Sequence, residues 1–173
     1  MSTGTETAGR AAELRAAFDR GFAEAPAEAR EATPDYLRIA VGDGSYVVAL
    51  AEVSAVLADK PIVAVPSLAP ALLGVAAVRG AIVPVYSLRA LLGHGGEDRP
   101  RWLLLAGGGV AFAFDRLEAH IAIADADIAP VQSAAAHGHV RANALLDGEP
   151  CPVVSIGSLT DELQKRLGTK SQS

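Results

Sequence analysis

The sequence is poor in cysteine, lysine and aromatic residues, and each scarcity argues against a class of protein. The one cysteine, Cys151, cannot form an internal disulfide, which favours the reducing cytoplasm over a disulfide-stabilised secreted domain. The lysines are Lys60, Lys165 and Lys170, and the net charge of −5 argues against the basic patch of a nucleic-acid binder. Aromatic residues make up 5% and hydrophobic residues 50% of the 173-residue chain. This composition is that of a globular protein rich in small aliphatic side chains.

The sequence also lacks a long hydrophobic run. The longest apolar region, residues 69–85, is interrupted by Gly74, Arg79, Gly80 and Pro84. It falls short of the roughly 20 apolar residues that a membrane helix needs. The N-terminus includes acidic residues and has no basic start followed by an apolar stretch, unlike a secretory signal. We therefore expect a soluble cytoplasmic protein.

Residues 1–35 form an extension that differs in composition from the rest of the chain, and we expect it to be partly helical or disordered. Leu14, Phe18 and Phe22 have the i, i+4, i+8 spacing of one helix face, and Pro26 would end the helix. A helix this short is marginal alone and needs a surface to pack on. Two hypotheses stay open. The stripe packs on the protein's own body or frays, or it is a candidate second partner site.

From residue 36 onward, short β-rich segments alternate with glycine-containing turns. Residues 36–41 and 46–50 flank one such turn, and residues 102–105 and 110–114 flank another. Glycine supplies the positive φ that tight hairpin turns require. Both regions are therefore predicted to be β-hairpins.

The two hairpins belong to an internal repeat. An offset of 64 residues relates Val53 to Leu117, and an offset of 68 relates residues 84–88 to residues 152–156. Each unit has only about 55 to 65 residues, which is marginal for an independent core, so the two units are expected to pack together. We predict a mainly β fold over residues 36–167, with two tandem SH3-like or OB-like β-barrels.

The chain is predicted to end in a short helix. Residues 158–167 have a helical pattern, with Ser158 as a candidate N-cap and Asp161 in the first turn. Residues 168–173 are expected to be a disordered tail.

The sequence contains no motif typical of an enzyme. Cys151 has no histidine close in sequence, so we interpret it as a small buried residue rather than a nucleophile. His137-Gly138-His139 lacks further clustered ligands, so we interpret it as an exposed loop pair rather than a metal site. We expect no catalysis, no metal and no cofactor. A catalytic or metal-binding barrel that uses His137 and His139 is kept as the weaker alternative.

The densest pattern lies in residues 65–89. It runs from Val65-Pro66 through Gly74–Gly80, with the sequence G-V-A-A-V-R-G, to Pro84-Val85 and then Leu88-Arg89. This order resembles the signature of CheW-like domains, the coupling proteins of bacterial chemosensory systems. Similar spacing continues on both sides, so the resemblance covers essentially the whole chain after the N-terminal extension.

The resemblance implies a fold of two five-stranded β-barrels that share a core. It also implies a non-enzymatic adaptor, located in the cytoplasm at membrane-associated chemoreceptor arrays. Its partners would be the regulatory domain of a CheA-type histidine kinase and the cytoplasmic tip of chemoreceptors. The partner-binding residues that the family motif carries over are Val53, Gly74, Arg79, Gly80 and Leu117, with Asp115 as a further motif residue.

Each of these residues also has a structural interpretation. Glycine at positions 74 and 80 fits a strand and its turn. Arg79 stands alone in an apolar run, and a role in the scaffold and a role in partner contact both stay open. Asp115 is predicted to tether a turn or pair with a nearby arginine. Val53 and Leu117 could equally be core residues.

The chain departs from the family pattern at three positions. Ala55 replaces an acid, Ala77 replaces an asparagine and Ser87 replaces an aspartate. These changes weaken the expectation of the family's standard charge contacts. They leave open an alternative function, a CheW-like regulatory module of a non-flagellar or non-chemotaxis pathway with a different partner.

Overall fold

The computed structural model describes residues 33–97, 99–131 and 138–169, with side chains as far as Lys165. Several sequence predictions lie outside these described residues: the helical stripe of Leu14, Phe18 and Phe22, the His137 member of the histidine pair, and residues 170–173 of the predicted tail.

The described residues form strands, two helices and two short 3₁₀ turns. The 3₁₀ turns are Leu50–Glu52 and Asp125–Asp127, and the helices are α1 (Leu88–Leu91) and α2 (Ile156–Thr169). The strands are β1 (Asp35–Val41), β2 (Gly44–Ala49), β3 (Val53–Ala58), β4 (Leu72–Val78), β5 (Ala81–Ser87), β6 (Trp102–Ala106), β7 (Ala111–Phe114), β8 (Arg116–Ala122), β9 (Ile128–Pro130), β10 (Val140–Leu146) and β11 (Glu149–Val154).

The strands form two sheets, and the predicted mainly β fold is confirmed. One sheet has six strands in the order β8-β1-β2-β11-β10-β9, and the other has five in the order β3-β6-β7-β5-β4. The sixth strand is the short β9. Its counterpart in the five-stranded sheet is the isolated bridge between Val63 and Val75.

The two repeats exchange their hairpins. The β1–β2 hairpin of the first repeat lies between β8 and β11 of the second, and the β6–β7 hairpin of the second lies between β3 and β5 of the first. The exchanged strands are joined to their neighbours by parallel pairs, Val47 with Val153 and Val85 with Ala111. Each sheet therefore contains strands of both repeats, and neither repeat completes a sheet alone.

The core follows from this exchange. A shared cluster contains Ile39 and Val48 from the six-stranded sheet and Leu104 and Phe112 from the five-stranded sheet. A further cluster lies in each sheet. Side chains alternate between the two faces of a strand. The phenylalanines of β7 therefore pack in the shared cluster, and its alanines pack in the separate cluster of the five-stranded sheet. The small aliphatic composition fits these narrow interiors.

The hairpins β4–β5 and β10–β11 correspond at an offset of 68 residues along both strands and the turn. Arg79 and Gly80 have φ values of 50° and 82°, and Asp147 and Gly148 have 54° and 85°. Two successive residues with positive φ are typical of the type I′ turn that joins tightly paired strands.

The C-terminal helix begins earlier than predicted. α2 starts at Ile156, and its cap is Ser155 rather than the predicted Ser158. The hydroxyl of Ser155 accepts the backbone N–H of Ser158 at 3.2 Å. The same offset of 68 relates Ser155 to Ser87, whose hydroxyl accepts the N–H of Ala90 at 3.0 Å in α1. Both helices are therefore capped by the serine that follows a Pro-Val strand.

Candidate functional site

Arg79 is exposed at the tip of the β4–β5 hairpin and adopts a left-handed conformation that asparagine or glycine adopts more readily. It forms no hydrogen bond or ion pair with any residue that the structure describes. The other arginines with described side chains each lie 2.8 to 3.2 Å from a carboxylate oxygen: Arg38, Arg89, Arg99, Arg101, Arg116 and Arg141. Among the arginines with described side chains, Arg79 is therefore the one whose guanidinium has no carboxylate partner, and it lies on a turn of defined backbone conformation.

An aliphatic surface lies beside this guanidinium. Directly paired residues of antiparallel strands share a face, as do residues two apart. We name this surface the Arg79 face, and it consists of Val63, Val75, Ala77, Arg79, Ile82 and Pro84. Ile82 is 77% exposed and Val63 is 63% exposed. Ala77 makes this face apolar where the family pattern has an asparagine.

Gly74 lies under the Arg79 face and is buried. Val63 and Val75 exchange two backbone hydrogen bonds, of 2.8 and 2.9 Å, next to it. A Cβ on Gly74 would lie 2.1 Å from the carbonyl oxygen of Val63. Glycine at this position lets the β3–β4 connection approach β4 closely, whereas a Cβ on Gly80 would meet nothing within 4 Å, so Gly80 serves the turn conformation.

The motif residues do not form one patch. Gly74, Arg79 and Gly80 lie in a single hairpin, while Val53 begins β3 at the opposite edge of the same sheet. Leu117 lies in β8, the edge strand of the other sheet. Val53 and Leu117 are half-buried and pack against the shared core.

Asp115 is a tether, as predicted. One oxygen of its carboxylate accepts the backbone N–H of Gly42 at 2.6 Å and an N–H of Arg89 at 3.0 Å. Asp115 stands where the chain passes from β7 to β8 and so between sheets. It joins the turn of the exchanged β1–β2 hairpin to α1.

Glu52 has the corresponding role at the other crossover and was missed in the sequence. Its Oε2 accepts the backbone N–H of Ile156 at 2.7 Å, and its Oε1 accepts from Arg141 at 3.2 Å. The repeat offers a weak signal, because subtracting 64 from Asp115 gives Ala51, one residue away. Glu52 borders a groove of about 400 Å³, the α2 groove, lined by residues 51, 52, 54, 106–108, 156, 157, 160, 161 and 164.

Three further polar residues make contacts within the fold. Glu118 on β8 has its carboxyl pKa lowered, first by a hydrogen bond from Arg116 and then by one from Ser45. Cys151 is buried, as interpreted from the sequence, and this burial raises the pKa of its thiol. The imidazole of His139 lies 2.8 Å from Glu162 and 3.2 Å from Ser158, between β10 and α2.

Within residues 33–97, 99–131 and 138–169, no group of three or more histidine, cysteine or acidic side chains is arranged to hold a metal ion. The same residues contain no helix that is long and apolar enough to span a bilayer.

Comparison with known proteins places this geometry in a family. The family model of the CheW-like domain matches residues 35–164. Among solved structures, the scaffolding protein TtCheW from Thermoanaerobacter tengcongensis is similar, with a TM-score of 0.64 and 19% sequence identity over 70% of this chain and 88% of that chain. The comparison with curated proteins found no match. The match to the family model spans most of the chain, and the protein therefore belongs to the CheW-like domain family.

Proposed function

We propose that the protein is a chemosensory adaptor that couples methyl-accepting chemoreceptors to a CheA-type histidine kinase. It acts in the cytoplasm, at membrane-associated receptor arrays, through protein contacts alone and without catalysis. Membership of the CheW-like domain family supports this function, and the Arg79 face is the observation that carries it.

The Arg79 face has the features of a partner contact. It combines exposed aliphatic side chains with a guanidinium that has no ion-pair partner among the described residues. Arginine is enriched among the residues that dominate binding at interfaces, and exposed apolar patches mark interaction sites. We assign this face to the regulatory domain of the kinase, whose matching surface would be apolar and contain a carboxylate.

The α2 groove is the second contact. It lies between the start of β3, the β6–β7 turn and the first turns of α2, so it is formed by elements of both repeats. A receptor helix could lay one face along such a groove. The two contacts lie on different elements, which allows one adaptor to hold both partners.

Co-purification tests the proposal. The full chain should capture a CheA-type regulatory domain and a receptor signalling fragment together. Arg79→Ala should reduce kinase capture while the fold survives. Binding of neither partner by a folded wild-type chain would contradict the proposed function.

The alternative is a CheW-like module with a partner outside chemotaxis, and the departures at Ala55 and Ala77 favour it. Ala77 is exposed on the Arg79 face, so its replacement of the family's asparagine changes the contact surface itself. Deletion of residues 1–34 discriminates between the two interpretations of the N-terminal stripe. Lost stability with intact partner binding would indicate that the N-terminal stripe packs on the body, and lost binding alone would indicate recruitment through it.

A further inference from the structure

We infer that Glu52 is a positioning residue, which holds the first turn of α2 against the start of β3 and so sets the width of the α2 groove. The inference rests on the proposed function, in which this groove receives the receptor helix. The family motif carries over Val53 and does not include Glu52.

The Glu52 carboxylate connects elements that are far apart in sequence. It accepts the N–H of Ile156 at 2.7 Å, an N–H of Arg141 at 3.2 Å and the hydroxyl of Ser155 at 3.4 Å. Glu52 belongs to the 3₁₀ turn before β3, whereas the donors of its hydrogen bonds belong to β10 and the start of α2. Its side chain is 22% exposed, so these contacts are partly shielded from solvent.

The contact to Ile156 meets a need of the helix. The first N–H groups of a helix have no acceptor within the helix itself. Ser155 supplies one acceptor, to Ser158, and Glu52 supplies another, to Ile156. A carboxylate near a helix N-terminus is also favoured by the helix dipole. The start of α2 is therefore fixed by a residue of the first repeat.

The same contact joins the two walls of the α2 groove. Glu52 and Ser54 line one wall, and Ile156, Gly157 and Thr160 line the other. The hydrogen bond from Ile156 to Glu52 connects a residue of one wall directly to a residue of the other. Loss of the carboxylate would free the first turn of α2 to move relative to β3, and a receptor helix would then meet a groove of unfixed width.

The Arg79 face should be insensitive to this change. It lies on β4 and β5, at the edge of the five-stranded sheet opposite β3. A change confined to the α2 groove should therefore weaken receptor binding and leave kinase binding intact. A loss of general stability would weaken both.

The experiment compares Glu52→Ala and Glu52→Gln with Glu149→Gln in the full chain. Glu149 is an exposed carboxylate of β11 without an ion-pair partner among the described residues, so it controls for loss of negative charge. Three quantities are measured: amide hydrogen exchange at the start of α2, affinity for a receptor signalling fragment and affinity for a CheA-type regulatory domain.

Glu52→Ala should speed exchange of the Ile156 amide and weaken receptor affinity, each by about tenfold, as expected for the loss of one charge-assisted hydrogen bond. Kinase affinity should stay within about twofold. Glu52→Gln keeps an acceptor oxygen for Ile156 and should recover part of both effects. Glu149→Gln should change neither.

If Glu52→Ala left amide exchange at the start of α2 unchanged, Glu52 would not hold the first turn of the helix. Faster amide exchange with unchanged receptor affinity would overturn its positioning role. A parallel loss of both partners with lowered thermal stability would identify a purely structural residue and also overturn the inference. A folded wild-type chain that binds no receptor fragment would contradict the proposed function, and the positioning role with it. The exchange measurement would still report separately on the contact between Glu52 and α2.

Discussion

The two equivalent hairpins, β4–β5 and β10–β11, share a backbone and differ in surface chemistry. Both end in a turn with two positive φ values, but one tip presents Arg79 and the other Asp147. The outward face of the first contains Val75 and Ile82 where the second contains Asn143 and Pro150. The repeat thus conserves the geometry of its own halves and varies the side chains that face solvent. The shared backbone therefore does not depend on Val75, Arg79 or Ile82, and these are the positions to which we assign the proposed partner contact.

The largest expected effect on stability comes from a substitution that changes the backbone of one hairpin. Gly74 corresponds to Ala142 at the offset of 68, and both follow an irregularity in strand register. Gly74→Ala should destabilise the fold by more than about 3 kcal/mol, because its Cβ would collide with the Val63 carbonyl. The matched control, Ala142→Gly, should cost only about 1 kcal/mol. Chemical denaturation of both variants measures this, and equal effects would contradict a special need for glycine.

Asp115→Ala should have the next largest effect. It removes the acceptor of the Gly42 N–H and leaves the mostly buried Arg89 without its carboxylate. The expected loss is about 2 kcal/mol in the free energy of unfolding. Thermal or denaturant unfolding measures it, and it should appear as a single transition because each sheet depends on both repeats. Two separate transitions would refute the exchange of hairpins as a source of cooperativity.

Arg79→Gly tests whether the two hairpin turns differ in partner binding. Glycine relieves the left-handed strain but loses more entropy on folding, so stability should change by less than about 1 kcal/mol. Affinity for the kinase domain should fall about tenfold or more. Asp147→Gly makes the same backbone change in the equivalent turn and should leave kinase affinity unchanged. Isothermal titration calorimetry of both variants measures their affinities for the kinase domain. Equal losses of affinity would contradict the assignment of the Arg79 face to the kinase.

The smallest expected effect concerns pH. The pKa of Glu118 is lowered in the folded protein by Arg116 and Ser45. A carboxyl with a lowered pKa stabilises the fold above its unfolded value, near 4.5, and this contribution is lost as the pH falls through the lower folded value. Glu118→Gln should therefore reduce the pH dependence of stability below about pH 4.5. The free energy of unfolding is measured from pH 6 to pH 3 for the wild type and for Glu118→Gln. An equal pH dependence in the two proteins would contradict this prediction.

The sequence predicts the hairpins and the repeat well, because turn glycines and strand periodicity are local signals. It cannot predict the exchange of hairpins, since a hairpin has the same pattern whichever sheet it joins. The predicted start of α2 was wrong because serine is a suitable cap at both positions 155 and 158, and the contact between Glu52 and the N–H of Ile156 is not visible in the sequence. Glu52 was missed because its partner Ile156 lies 104 residues away.

The N-terminal stripe of Leu14, Phe18 and Phe22 remains a prediction, as does the assignment of partner-binding roles to Val53, Gly80 and Leu117. The structure locates the last three and separates them between two sheets. Of the motif residues, Arg79 alone combines exposure, a constrained backbone and an uncompensated charge among the described residues. It is therefore the residue on which the proposed function is best tested.

The most direct test of the adaptor function is reconstitution. A CheA-type kinase, receptor signalling fragments and the full chain are combined, and kinase autophosphorylation is measured with wild-type protein and with Arg79→Ala. The adaptor account predicts that receptor control of the kinase requires the wild-type chain and is lost with the folded variant. Receptor control that is the same with wild type, with Arg79→Ala and without the chain would contradict it.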